Sequence, residues 1–145
     1  MQKRHPLQLS LLAIALSVAA AQASDNKTKW DVNKPQGEFK SIDINVSSGT
    51  WMNLDVSPDG KTVVFDLLGD LYSMSINGGT PKQLTNDIGW QMQPKFSPDG
   101  KYIAYTSDEG GGDNIWVMKA DGTDAKAVTN DTFRLLNSPD WSPDG

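Results

Sequence analysis

Cysteine is missing from all 145 residues, and histidine occurs once, at His5. Without thiols, disulfides hold nothing together, and neither thiolate catalysis nor sulfur-bound metal is available. His5 lies in a leader-like stretch. Its removal leaves no imidazole, which excludes a Ser-His-Asp triad and any histidine-held metal in the remainder. Helical periodicity is equally scarce: beyond residue 23 no stretch calls for a helix. Positive charge is short as well, with thirteen basic against eighteen acidic residues and a net charge of −5. An acidic surface argues against nucleic acid and anionic lipid as partners.

The leader is residues 1–23. Lys3 and Arg4 supply a positive start, Leu9 to Ala21 is apolar apart from Ser10 and Ser17, and Ala21-Gln22-Ala23 is a small-x-small cleavage site. The apolar run is short for a membrane span, and no cysteine follows it to carry a lipid. The expectation is therefore a cleaved signal peptide, cut after Ala23, no stable membrane anchor, and a periplasmic or secreted destination. Cleavage leaves eleven basic and eighteen acidic residues, a net charge of −7.

What is present is a repeat. Ser-Pro-Asp-Gly occurs at Ser57–Gly60, Ser97–Gly100 and Ser142–Gly145. Each copy suits a type I turn: the Ser hydroxyl bonds back to the turn, Pro presets φ, Asp tolerates the third place, and Gly accepts a left-handed backbone. The prolines at 58, 98 and 143 are 40 and 45 residues apart, a period that marks β-propeller blades. The difference in length falls in Ser107–Asp113, a glycine-rich loop, and just before Trp141. Gly100 is expected to require a positive φ, whereas Gly111, in the added loop, is expected to tolerate replacement.

The pattern predicts an all-β, incomplete propeller: two four-stranded blades and the opening strand of a third. Residues 24–48 form an extended segment in which Phe39 to Val46 reads as a strand through Ile42, Ile44 and Val46. By analogy with other propellers it is a candidate ring-closing strand. Residues 49–145 hold the repeats. The first blade takes its strands from Trp51–Val56, Lys61–Asp66, Asp70–Ile76 and Lys82–Thr85. The second repeats them from Trp90 to Asp131, and Leu136–Trp141 opens the third. Ile103 and Tyr105, with Ile115 and Val117, are apolar enough to need cover. Leaving them open forfeits about 6–12 kcal/mol, comparable to the stability of a whole domain. The segment is therefore expected to belong to a longer protein and to need further blades.

No catalytic, cofactor-binding or metal-ligating residue is assigned. Asp59, Asp99 and Asp144 recur with the turn, which makes them architectural before they are acids or bases. Asp108-Glu109 with Asp113-Asn114 has the oxygen ligands for calcium but not the spacing of a calcium loop, so a solvated turn is expected. Trp30, Trp51, Trp90, Trp116 and Trp141 suit packing between blades better than a carbohydrate platform.

The Ser-Pro-Asp-Gly turn, the Asn114-Ile115-Trp116-Val117-Met118 strand and the Gly-Thr…Leu-Thr-Asn-Asp stretch resemble TolB-type propeller repeats, periplasmic or secreted relatives of WD-repeat proteins with about six to eight blades. The span 24–48 is too short for the α/β domain that precedes the propeller in TolB itself. A further resemblance rests on Trp30-Asp31-Val32, Gly49–Val56, Phe65–Tyr72, Gly110–Asn114 and Phe133–Asn137. These are similar to the start of large exported amidohydrolase-family proteins, in which such a propeller precedes a metal-dependent hydrolase barrel. That resemblance implies C–N bond hydrolysis with a divalent metal, zinc in one reading, held by histidines and a carboxylate in a later domain. It implies as partners the remaining blades and a C-terminal domain of the same chain, with room for a protein partner. A stand-alone scaffold propeller and the propeller of a prolyl-oligopeptidase-type peptidase stay open. A later His-x-His motif selects the first reading and Gly-x-Ser-x-Gly the peptidase.

Overall fold

The structure, a computed structural model, describes residues 31–145. The stretch expected to be a signal peptide, and Trp30, lie outside the described residues. Eight strands form two four-stranded antiparallel sheets in sequential order. The first sheet holds β1 (Leu54–Val56), β2 (Thr62–Leu67), β3 (Asp70–Ser75) and β4 (Lys82–Gln83). The second holds β5 (Gln91–Phe96), β6 (Tyr102–Ser107), β7 (Asn114–Lys119) and β8 (Lys126–Ala127). Both are meanders joined by turns, the form taken by propeller blades. No helix occurs among the described residues.

The turns make the bonds their sequence calls for. In the first, the Ser57 hydroxyl donates to Asp59 Oδ1 (2.6 Å) and accepts from the Thr62 N–H (2.9 Å), and Asp59 Oδ1 accepts from the Lys61 N–H. Ser97, Asp99, Lys101 and Tyr102 repeat all three bonds. Gly60 and Gly100 sit at φ 71° and 70°, a region that charges a side chain about 1 kcal/mol or more. Gly111 departs from expectation: it too is left-handed, at φ 99°, because its N–H closes a turn onto the Asp108 carbonyl at 2.7 Å. The residue of this loop with ordinary φ and open space around its Cα is Gly112. Gly100→Val is therefore expected to lower the melting temperature by several degrees and Gly112→Val by almost nothing. Equal losses would contradict the turn geometry.

The core lies between the blades. Val64, Leu71, Phe96, Ile103, Tyr105 and Met118 form one buried cluster, with Leu84, Trp116 and Ala120 against it. β5 packs on β1, β2 and β3 of the first sheet. The register decides which residues of the two middle strands share a face. Ile103 pairs with Met118 and Tyr105 with Trp116, while Ile115 and Val117 pair with Thr106 and Ala104. Directly opposed residues share a face, so Ile103 and Tyr105 belong with Met118, covered by the first blade, and not with Ile115 and Val117.

Two expected strands are absent. Residues 39–46 carry no ladder, and Phe39, Ile42, Ile44 and Val46 are exposed. Residues 136–141 carry none either. Alternation creates a strand only where an edge accepts it, and neither stretch has a paired edge among the described residues. The second stretch is instead pinned to the second blade. The Leu136 N–H donates to the Asp113 carbonyl (2.9 Å), the Ser138 N–H to Gln93 Oε1 (2.7 Å), and Trp141 Nε1 to the Lys95 carbonyl (3.0 Å).

Candidate functional site

Antiparallel blades place their loops at two ends. One end carries the Ser-Pro-Asp-Gly turns and the β3–β4 and β7–β8 connections. The other carries the β2–β3 and β6–β7 turns, the segments leading into β1 and β5, and residues 128–135. The side chains weighed for chemistry divide between these ends, and architecture engages most of them.

At the first end, hydrogen bonds hold the turn carboxylates low. The Ser97 hydroxyl and Lys101 bring Asp99 to about 2. Ser57 lowers Asp59, and Ser142 lowers Asp144. A carboxylate ionised this far below neutrality is a poor general base, and its position in each turn repeats without convergence on a common point. A carboxyl whose value is lowered on folding contributes stability above its unfolded value of 3.8, and loses it as pH falls toward about 2. Asp99→Asn is thus expected to cost stability at pH 6 and much less at pH 2, read from urea midpoints. A penalty independent of pH would contradict the bond from Ser97.

At the second end, two equivalent clasps close the outer strands. The Thr85 hydroxyl accepts the Leu71 N–H (2.9 Å) and donates to Asp70 Oδ1 (3.1 Å), with Gln91 Oε1 at 3.3 Å. The Thr129 hydroxyl accepts the Ile115 N–H (2.9 Å) and donates to Asn114 Oδ1 (2.8 Å). The Leu-Thr-Asn-Asp recurrence is the trace of this clasp in the sequence. Burial raises Asp70, and neighbouring Asp87 adds to the rise. In the glycine loop, Asp108 Oδ1 accepts the Trp90 N–H (2.7 Å), and Glu109 Oε1 accepts from Asn33 Nδ2 (3.3 Å). Asn114 is bonded to Gly112, Thr129 and Asp131. Three of the four loop residues considered for calcium, Asp108, Glu109 and Asn114, therefore face different partners, and no group of three or more His, Asp or Glu residues fit for a metal occurs among the described residues.

A third arrangement has no signal in the sequence. Asp66, nearly buried, accepts the Asn53 N–H (2.9 Å), Asn53 Nδ2 (2.7 Å) and the Gln93 N–H (2.9 Å). Gln93 bulges from β5 with φ 56°, and Ser138, 45 residues on, stands at φ 54°. The Gln93 side chain accepts the Ser138 N–H as Asp66 accepts that of Gln93. The innermost segment of each repeat thus reaches a polar side chain of the repeat before it.

A cleft of about 600 Å³ also lies at the second end. Val46, Trp51, Met52, Leu67, Leu68, Trp90 and Met92 give it apolar walls, and Asn53, Asp66 and Gln91 line its polar part. Trp90 rests on Gly69, where an added Cβ would stand 2.9 Å from the indole. Trp51 is fully exposed, against the expectation of packing between blades. Trp116 does pack on the core cluster.

These features recur in known proteins. Residues 51–145 match the Tricorn protease N-terminal beta propeller domain family. An uncharacterized Agrobacterium fabrum protein is 34% identical over 91 residues, 60% of this chain and 29% of that protein. A Sulfurisphaera tokodaii protein named as a Tricorn-like protease C-terminal subunit is 28% identical over 94 residues, 65% of this chain and 11% of its own length. A solved structure from Agrobacterium tumefaciens carrying the name TolB superposes with a TM-score of 0.57 at 34% identity, covering 62% of this chain and 34% of that one. The chain thus spans less than a third of the length of these two relatives. Its two four-stranded blades are TolB-like, and the chain belongs to the Tricorn protease N-terminal β-propeller family.

Proposed function

We propose that these residues form the noncatalytic propeller portion of an exported hydrolase of C–N bonds, whose reaction is carried out by a domain outside them. The observation that carries the reading is the employment of polar side chains. Asp59, Asp66, Asp70, Asp99, Asp108 and Asn114 each accept hydrogen bonds that close a turn, a clasp or a blade contact. None is left converging with another on a point where a substrate bond would sit. The need for more blades is supported by β1. Val56 and Phe96 occupy equivalent ladder positions, opposite Val63 and Ile103. Phe96 is 9% exposed against the first blade, whereas Val56 is 40% exposed.

The amidohydrolase reading rests on the resemblance of the Gly49–Val56, Phe65–Tyr72 and Gly110–Asn114 segments. It places the divalent metal and its histidine ligands outside these residues, and the leader assigns the protein to the periplasm or exterior. A peptidase parent is the second reading, supported by the family matched by residues 51–145. In either, the propeller limits which substrates reach the reacting centre. The test is to assay the intact protein, and a form lacking the propeller, on dipeptides and cyclic amides of increasing size. Small substrates should still turn over after deletion, with size selectivity relaxed. Turnover by residues 24–145 alone, resistant to chelator and abolished by Asp99→Asn, would overturn the reading.

A further inference from the structure

The two ends of the blades differ in charge. Around the Ser-Pro-Asp-Gly turns, Asp59, Asp99, Asp121, Asp124 and Asp144 are balanced by Lys61, Lys82, Lys101, Lys119 and Lys126. The opposite end, with the segment leading into β1, holds ten carboxylates, Asp66 and Asp131 among them, against Lys34, Lys40 and Arg134. Two of these cations are already paired there, Lys34 with Asp31 and Arg134 with Asp131. Glu109 is raised by burial and then by the like charges of Asp87, Asp108 and Asp31.

The 600 Å³ cleft opens at this acidic end, and no Lys or Arg lines it. Two of its wall residues have left-handed backbones, Trp51 at φ 57° and Leu68 at φ 55°. They are also exposed, at 99% and 60%. A bulky residue held in that region is strained, and such strain concentrates where a side chain must be presented. Trp51 and Trp90 stand at equivalent places, each two residues before the residue that faces Asp66 or its counterpart Thr106. Both line the cleft together with Leu67, Leu68 and Gly69 around the β2–β3 turn. Gln91, 1% exposed, lines the cleft, and its Nε2 has no hydrogen-bond partner among the described residues.

We propose that this cleft docks an extended basic polypeptide segment, seating an aromatic side chain between Trp51, Leu68 and Trp90 while flanking lysines or arginines face the carboxylates. Indole faces favour both an aromatic guest and a neighbouring cation, and the field of the acidic end selects against anionic segments. The volume suits one large side chain and the backbone on either side of it. The proposal is independent of which hydrolase domain accompanies the propeller.

The test uses the intact gene product and three synthetic pentapeptides: Lys-Phe-Lys-Phe-Lys, Lys-Ala-Lys-Ala-Lys and Glu-Phe-Glu-Phe-Glu, each blocked at both ends. Calorimetry should detect the first alone, and binding should weaken with salt. Trp51→Ala, a change at an exposed side chain that leaves folding intact, should weaken it about tenfold, the order of an aromatic anchor. The double variant Asp87→Asn, Asp113→Asn should weaken it a few-fold and flatten the salt dependence, with unchanged melting temperature. Equal binding of the acidic peptide, or affinity unaffected by Trp51→Ala, would overturn the proposal. So would a Trp51 indole shielded from acrylamide in the free protein, or a Trp51→Ala change that only converts a dimer to monomer, since another part of the chain or a second copy would then be the occupant.

Discussion

Asp66→Ala is expected to destabilise the intact protein by about 3–5 kcal/mol in urea or guanidinium unfolding. The carboxylate is 7% exposed and accepts three hydrogen bonds, two from Asn53 and one from the Gln93 N–H. Removing it takes the acceptor from the half-buried Gln93 N–H and from two donors of exposed Asn53, and a donor kept from water costs about 1–3 kcal/mol when left unsatisfied. Part of that cost is recovered by water reaching the site. Asp66→Asn keeps one acceptor oxygen and should fall between wild type and Ala. Asp43→Asn, on the exposed segment before the blades, should stay within about 0.5 kcal/mol. A loss below about 1 kcal/mol for Asp66→Ala would mean that the contact between the blades does not depend on this carboxylate.

The second large effect is expected at Gly122, in the turn between β7 and β8. Its φ is 91°. A Cβ there would stand 3.0 Å from the Leu84 carbonyl oxygen and 3.3 Å from the Leu84 Cα, both backbone atoms of the first blade. Gly78 shares the conformation, at φ 87°, but nothing lies within 4 Å of its Cβ position. The pair therefore separates two costs. Gly78→Ala should show only the strain of a left-handed residue, about 1–2 kcal/mol. Gly122→Ala should add the displacement of one blade from another, and Gly122→Val should exceed both. Equal losses at Gly78 and Gly122 would show that the second blade yields to the first without cost, against the close packing expected of a protein interior.

The repeat spacing is consistent with the cost at Gly122 being paid between blades. Lys82 Nζ donates to the Asp121 carbonyl at 2.7 Å, so the β7–β8 turn is already tied to the start of β4. This turn and the Asp66 contact hold the blades near opposite ends of their strands. A combined Asp66→Ala, Gly122→Ala variant tests whether they act independently, because distant sites without shared partners add within about 0.5 kcal/mol.

Much of the fold was readable from the residues because its decisive chemistry is local. Ser57, Asp59 and Thr62 close their turn within six residues, so a tetrapeptide specified it and its recurrence specified the blades. The middle strands followed from alternation between those turns, and both blades formed with sequential pairing. The Thr clasps left a recurring Leu-Thr-Asn-Asp signature. What the sequence did not decide is what one blade does to another. Asp66 finds the Gln93 N–H across 27 residues, and Trp141 finds the Lys95 carbonyl across 46. No local pattern announces either partner, because their distance is set by the packing of two sheets. The same holds for residues 39–46, whose alternation is strand-like but whose backbone has no ladder, since a strand exists only through its partner's hydrogen bonds. It holds also for the faces of β6 and β7, which pairing register assigned and side-chain order alone did not. The cleft beside Trp51 and Trp90 arises in the same way: the residues are in the sequence, but their convergence at the acidic end is a property of how the blades stack.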